Sequence, residues 1–325
     1  MVQLPTPLSS PAAGTAAKGY DHAAVQYASD EELLAVGVPF LTAGIAAGEP
    51  TAVSLAPERA ELLREALPPG SGTHFLPTDD LYARPAVAIR SYRELLAGFV
   101  DAGATGIRVF GEIPRAAIDT SWDWWARYEA AVNHAYGQFP LRSVCAYDTR
   151  TTPRHVLDDV ARTHPFVAVP GGEYRPNDGY VDPLAFLAVP RPTAPHPIQR
   201  AEPLVVLTDP QPREARQAVL AANRTGLPAA EIDDLVLAVS EIADNALRHG
   251  RPPVTLRIWA GPGCMVVTVH DTGDGPGDPF AGLLPADREV GGRGLWITHQ
   301  ICGEVTLHRD DTGFTARLTA GNPGR

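Results

Sequence analysis

Four of the nine residues at 189–197 are proline, and this run constrains the fold more than any other feature of the chain. Proline fixes φ and removes a backbone donor, so neither a helix nor a central strand can continue through such a stretch. It reads as a semi-rigid spacer. The chain of 325 residues is long enough for an independent core on each side. The expected organisation is a tail rich in Pro, Ala and Ser at 1–19, one unit at 20–188, the linker at 189–203 and a second unit at 204–321.

The two units carry different patterns. In the first, short apolar runs at 51–55, 73–76, 107–110, 143–147 and 166–169 alternate with amphipathic segments at 30–47, 58–67, 86–102, 122–136 and 153–163. Strand and helix in alternation predict an α/β unit with a mainly parallel sheet flanked by helices. Ser29 or Asp30 is placed to cap the first of these helices. In the second unit, two helical patterns (213–223 and 229–249) precede a hairpin around Gly261-Pro262-Gly263, a Gly-rich loop, a short helix near 294–302 and two closing strands. Helices first and antiparallel strands after predict a two-layer α/β sandwich.

Composition removes several function classes. Lys18 is the only lysine, which excludes a P-loop lysine, Schiff-base chemistry and a protein-kinase strand lysine within either unit. A formal net charge of −11 speaks against direct nucleic-acid binding. No run of 18 apolar residues is present to span a membrane, and 1–19 lacks the apolar region of a secretory signal, so the expected location is the cytoplasm. Cys145, Cys264 and Cys302 show no metal-type spacing and read as buried reduced thiols.

Three sequence elements carry chemistry. On the 229–249 helix, Ile232, Leu235, Val236, Val239, Ile242, Ala243 and Ala246 form the core-facing arc, while Glu241, Asn245 and His249 line up four apart as a polar stripe. A solvated helix face explains the stripe equally well when it is taken alone. Next, Asp271 ends an apolar run and Gly273 and Gly275 follow, letting backbone approach a flat ring or a phosphate. The Asp271 carboxylate can accept from an exocyclic amine. Last, Gly291-Gly292-Arg293-Gly294 runs into a helix start, whose free N–H groups favour an anion. Each piece alone has a bland reading as a solvated helix face or a glycine turn. The ordered trio does not.

This trio resembles the N, G1 and G2 boxes of the GHKL ATPases, and the likeness covers 204–321. It is most similar to the anti-sigma-factor serine kinases, which open with a helix like that at 213–223. The resemblance implies ATP and Mg²⁺ as cofactors. It assigns Asn245 to the metal, Glu241 to general-base catalysis and Asp271 to the adenine. Gly273, Gly275, Gly291, Gly292, Arg293 and Gly294 then line the nucleotide, with a lid from about 276 to 294. Asp244 departs from the hydroxyl or small residue expected beside Asn245, and its spacing suggests a pair with Arg248 instead.

The first unit resembles the MEDS (methanogen/methylotroph sensory) domain through His22 and Tyr27, Ser29-Asp30-Glu31-Glu32-Leu33-Leu34, Pro39-Phe40, Gly44, Gly48-Glu49, Tyr147-Asp148 and Arg162-Thr163-His164-Pro165. The family implies a RecA-like sheet without its phosphate loop, and a small-molecule ligand of unspecified chemistry. His22, Tyr27, Trp122, Trp124, Trp125 and His164 are candidates to line a ligand pocket; packing in a core or interface also explains the Trp cluster, and His164, between a helix and Pro165, also fits a capping role. Together the resemblances imply a sensory regulator whose kinase module phosphorylates an anti-anti-sigma (STAS-type) partner, sequesters a sigma factor, or does both, as a monomer or a homodimer. The alternative is a catalytically silent, ATP-loaded sigma-binding module. A sensor histidine kinase is disfavoured, since the linker's His196 lies between two prolines where no helix can form.

Overall fold

The computed structural model describes residues 19–191, 194–285 and 293–321. The first unit contains β1 Tyr20–Tyr27, α1 Asp30–Ala46, β2 Thr51–Ser54, α2 Pro57–Ala66, β3 His74–Phe75, α3 Thr78–Leu81, α4 Pro85–Asp101, β4 Ile107–Gly111, α5 Arg115–Ala135, β5 Leu141–Asp148, α6 Arg154–Thr163, β6 Phe166–Val169, β7 Glu173–Pro176 and α7 Pro183–Ala188. Its seven-stranded sheet runs β3-β2-β4-β5-β1-β6-β7. All pairings are parallel except β6 with β7. The α/β prediction therefore stands.

Period-2 alternation divides the sheet's side chains between two cores. Ala23, Val25 and Tyr27 of β1 and Val144 and Ala146 of β5 pack with α1 and α2. Ala24 of β1 and Leu141 and Tyr147 of β5 join α4, α5, α6 and α7 on the opposite face. β1, which carries His22 and Tyr27, is a central strand, a place its sequence does not announce. A strand covered on both faces shows no apolar–polar alternation. The Ser29 cap is present: its side chain accepts from the Glu32 amide, and Glu32 accepts from the Ala28 amide in return. Gly44 and Glu49 have a structural role. Buried Arg108 donates to Glu49 at 2.6 Å and to the Phe40 carbonyl, and a Cβ on Gly44 would collide with it.

The second unit contains β8 Val205–Thr208, α8 Pro212–Ala222, α9 Ala229–His249, β9 Thr255–Gly261, β10 Cys264–Asp271, α10 Arg293–Ile301, β11 Glu304–Asp310 and β12 Gly313–Gly321. The antiparallel sheet has the order β11-β12-β10-β9-β8. Helices α8 and α9 cover one face around Val219, Leu235, Val239, Leu256, Met265 and Leu318. The predicted two-layer sandwich is observed, with one addition. β8 precedes the helices and pairs with β9; as an edge strand with Val206 and Leu204 exposed, it was too short and too one-sided to register as a strand.

The linker does not hang free. Arg191 bridges Asp123 and Asp159 at 2.8 Å each, and the turn at Pro197–Arg200 sets Ile198 against Trp259, Cys264 and Val266. The two units also meet directly. Arg84 donates to the Ile301 carbonyl and Arg127 to the Pro279 carbonyl, while Phe280 and Leu283 of the second unit lie within the first unit's α4–α5 core.

Candidate functional site

Helix α9 places one turn of polar side chains beside the β10 end. The arc of Ile232, Leu235, Val239, Ile242 and Ala246 is buried as expected, which leaves Asn245 half-buried on the flank. Between α9, the ends of β10 and β12, α10 and the 275–284 segment lies a cavity of about 280 Å³. Asn245, His249, Asp271 and Gly275 reach its wall, over a floor that includes Ile242, Val269 and Leu295. That volume is near the lower end for small-molecule pockets, and an apolar floor with few polar groups is their usual make-up.

Asp271 is 4% exposed. Its Oδ1 accepts from the backbone amides of Arg251 at 3.0 Å and Gly273 at 2.7 Å, which fixes the carboxylate plane at the cavity edge. Three glycines are required by this arrangement. A Cβ on Gly250 or Gly273 would strike the Asp271 carboxylate. Gly275 has φ +73°, and a Cβ there would enter the Phe314 ring.

Glu241 lies one helical turn before Asn245, packed against Gly294 at the start of α10; a Cβ on Gly294 would meet the Glu241 carboxylate and approach the Asn245 amide. Arg293 is exposed at the first position of α10 and does not line the cavity. Asn245, Asp271 and Gly275 thus line one cavity, Glu241 and Gly273 touch that lining through Gly294 and Asp271, and Arg293 stands outside. Gly291 and Gly292 lie outside the described residues. Asp244 pairs with Arg248 at 3.4 Å across an exposed helix face, as its spacing suggested.

Residues 278–284 face two ways. Ala281, Gly282 and Leu284 line the cavity, while Phe280 and Leu283 are buried in the sensory-side core. The Phe280 ring stacks on His134 of α5 with centroids 4.7 Å apart. His299 of α10 backs Gly282 and stands 6.4 Å from the Trp124 ring. Burial, with Arg127 nearby as a second cause, lowers the His299 pKa to about 3. Sequence reading missed Phe280 and Leu283 because a Gly/Pro-rich loop gives no periodicity from which to infer burial.

Residues 21–165 match the MEDS family (methanogen/methylotroph, DcmR sensory domain), and residues 207–320 match the histidine kinase-like ATPase domain family. The chain joins a MEDS domain to a histidine kinase-like ATPase domain. Similar solved structures include the RsbU and RsbW domains of a Mycobacterium tuberculosis protein, at 22% identity over 37% of this chain and 33% of that one, with a TM-score of 0.27. The histidine kinase domain of the E. coli osmosensor EnvZ matches at 18% identity over 38% of this chain and 92% of that one, with a TM-score of 0.24. The chain thus spans about one third of the length of the first of these, and both scores are too low to bear on fold or function. No curated protein matches the chain. Among the described residues no helix is long and apolar enough to cross a membrane.

Proposed function

We propose that the ATPase domain binds Mg²⁺-ATP in the cavity under α9 and acts as an anti-sigma-type serine/threonine kinase governed by the MEDS domain. The observation that carries this reading is that Asn245, Asp271 and Gly275 line the same cavity, with Glu241 one helical turn before Asn245. The donor set fits the ligand. An amide oxygen suits Mg²⁺, a carboxylate with one oxygen already held can accept from the adenine amine, and the apolar floor can take the ring. Mg²⁺-ATP would supply the phosphoryl group and neutralise its developing charge. Asn245 would hold the metal, Asp271 would orient the base, and Glu241 would accept the proton of the attacking hydroxyl.

The partner on this reading is an anti-anti-sigma (STAS-type) protein carrying the accepting hydroxyl, with sigma-factor sequestration as a second activity of the same ATP-loaded surface. The sensory domain reaches the site through residues 278–284, which line the cavity on one side and are anchored in the MEDS core on the other. A change in the MEDS core has a direct mechanical route to the nucleotide.

The deciding experiment is a labelled-ATP transfer assay on wild type and Glu241→Gln with candidate partner proteins. Glutamine keeps the shape and most of the hydrogen bonding but takes no proton. The kinase reading expects near-normal nucleotide binding and a transfer rate lower by roughly 10²- to 10⁴-fold. A wild type that binds ATP and a sigma factor yet transfers nothing establishes the silent binding module instead.

A further inference from the structure

The MEDS core holds four metal-ligating side chains that the nucleotide site does not use. His22 comes from β1 and Cys145 from the adjacent β5, both on the sheet face covered by α5. Glu129 projects from α5, and His164 is the residue that ends α6. One ligand atom from each lies within 4.8 Å of the other three. His22, Glu129 and His164 are at most 1% exposed. We propose that these four residues form a binding site for one divalent transition-metal ion, zinc in the first instance, at the centre of the sensory domain.

The spacing fits an ion held between the four side chains. Metal–ligand bonds of about 2.0–2.3 Å in a tetrahedron put neighbouring ligand atoms roughly 3.3–3.7 Å apart. The His22 Nε2 to Cys145 Sγ distance is 3.3 Å, His22 Nε2 to Glu129 Oε2 is 3.3 Å, and His164 Nε2 to Glu129 Oε2 is 3.4 Å. Both Glu129 Oε2 and His164 Nε2 are buried without a hydrogen-bond partner. Unpartnered buried polar atoms cost free energy, and two of them facing each other call for a cation between them.

The surrounding hydrogen bonds orient the ligands. His22 Nδ1 meets Asn133 Oδ1 at 3.1 Å, and His164 Nδ1 meets the Val160 carbonyl at 2.9 Å. Asn133 donates its amide to the carbonyls of Glu129, Ala130 and Thr163, so its oxygen is the atom turned to His22. With oxygen acceptors at both Nδ1 atoms, both Nε2 lone pairs are left to face the centre. Tyr147 donates to Glu129 Oε1 at 2.6 Å, leaving Oε2 as the ligand oxygen.

Charge balance supports the same assignment. A divalent ion held by one thiolate, one carboxylate and two neutral imidazoles has its charge cancelled by its own ligands. The centre is electrically neutral, as a site with three of its four ligands buried favours. A small aromatic hollow lined by Tyr20, Tyr82, Tyr128 and Tyr136 borders His22, Glu129 and Cys145.

The test is elemental analysis of the purified full chain without nucleotide, followed by Co²⁺ titration after chelation. One equivalent of metal per chain is expected, with a thiolate-to-cobalt charge-transfer band. Cys145→Ser, a single-atom exchange, should abolish that band, and Cys264→Ser should leave it unchanged. Asn133→Ala, which touches no ligand atom of the ion, should weaken Co²⁺ binding by about 10- to 100-fold. Circular dichroism on each variant separates lost binding from lost folding. Less than a tenth of an equivalent in wild type offered zinc, cobalt, nickel and ferrous iron would overturn the assignment and leave a closed hydrogen-bond network. So would a charge-transfer band that survives Cys145→Ser.

Discussion

Asn245 and Asp271 make different demands on a ligand, and single substitutions separate them. Asn245 is half-buried on the cavity wall and carries the only side-chain amide among the described residues that line it. Removing a hydrogen-bonding or ligating group that faces a charged partner costs roughly 1.5–3 kcal/mol, or about 10- to 150-fold in affinity. Asn245→Ala should therefore weaken ATP binding by that factor in the presence of Mg²⁺ and by much less in chelator. Titration calorimetry under both conditions checks it, and equal affinities for wild type and mutant would remove Asn245 from the metal. Its spacing, four residues after Glu241 and four before His249, puts Asn245 on one helix flank, and only the two glycine-rich elements that follow set that stripe apart from a solvated face. Glu129 left a fainter trace, a lone carboxylate on the apolar arc of α5 between Trp125 and Val132.

The 278–284 segment and α10 form the element that joins the two sites. Phe280 and Leu283 are 8% and 2% exposed, and their surroundings belong to the MEDS domain. Phe280→Ala deletes the ring stacked on His134, and truncations of a buried Phe cost about 3–5 kcal/mol. Set free on that side, the segment should let nucleotide leave faster, which stopped-flow displacement of a fluorescent ATP analogue measures. An unchanged release rate would disconnect the anchor from the cavity. His299 gives this element a pH dependence. It packs between Gly282 and Trp124 and faces Arg127, and its pKa is lowered to about 3 against an unfolded value near 6.5. The unfolded chain takes up a proton that the folded chain refuses. Its contribution is thus complete above about pH 6.5 and is lost as pH falls toward 3. Denaturant midpoints should drop less steeply from pH 7 to pH 5 in His299→Gln than in wild type.

At the scale of the whole molecule the two domains share apolar surface and are tied by a fastened linker. Each has its own sheet and its own core, which supports the proposed boundaries at 20–188 and 204–321. A 204–321 fragment retains the residues of the nucleotide cavity but exposes Phe280 and Leu283, and it loses the Arg84 and Arg127 contacts. It should bind nucleotide yet unfold at lower denaturant than the same domain in the full chain. It should also bind an apolar dye at the uncovered anchor. A fragment that cannot bind nucleotide would show that the domains depend on one another for folding.

The sequence by itself determined the domain order and the class of each sheet, and it marked Asn245, Asp271 and Gly275, which line the cavity, together with Arg293, which does not. Those properties follow from local rules: helical spacing brings Glu241 and Asn245 to one flank, and glycine is needed where backbone crowds Asp271 or Phe314. Only the tertiary structure decided that β1 lies inside the sheet. It alone showed that a glycine-rich loop buries Phe280 in another domain, and that His22, Glu129, Cys145 and His164 converge. These are contacts between residues far apart in the chain or on different elements. No period or spacing along the chain encodes them, because what brings them together is the pairing of β1 with β5 and the packing of α5 across both.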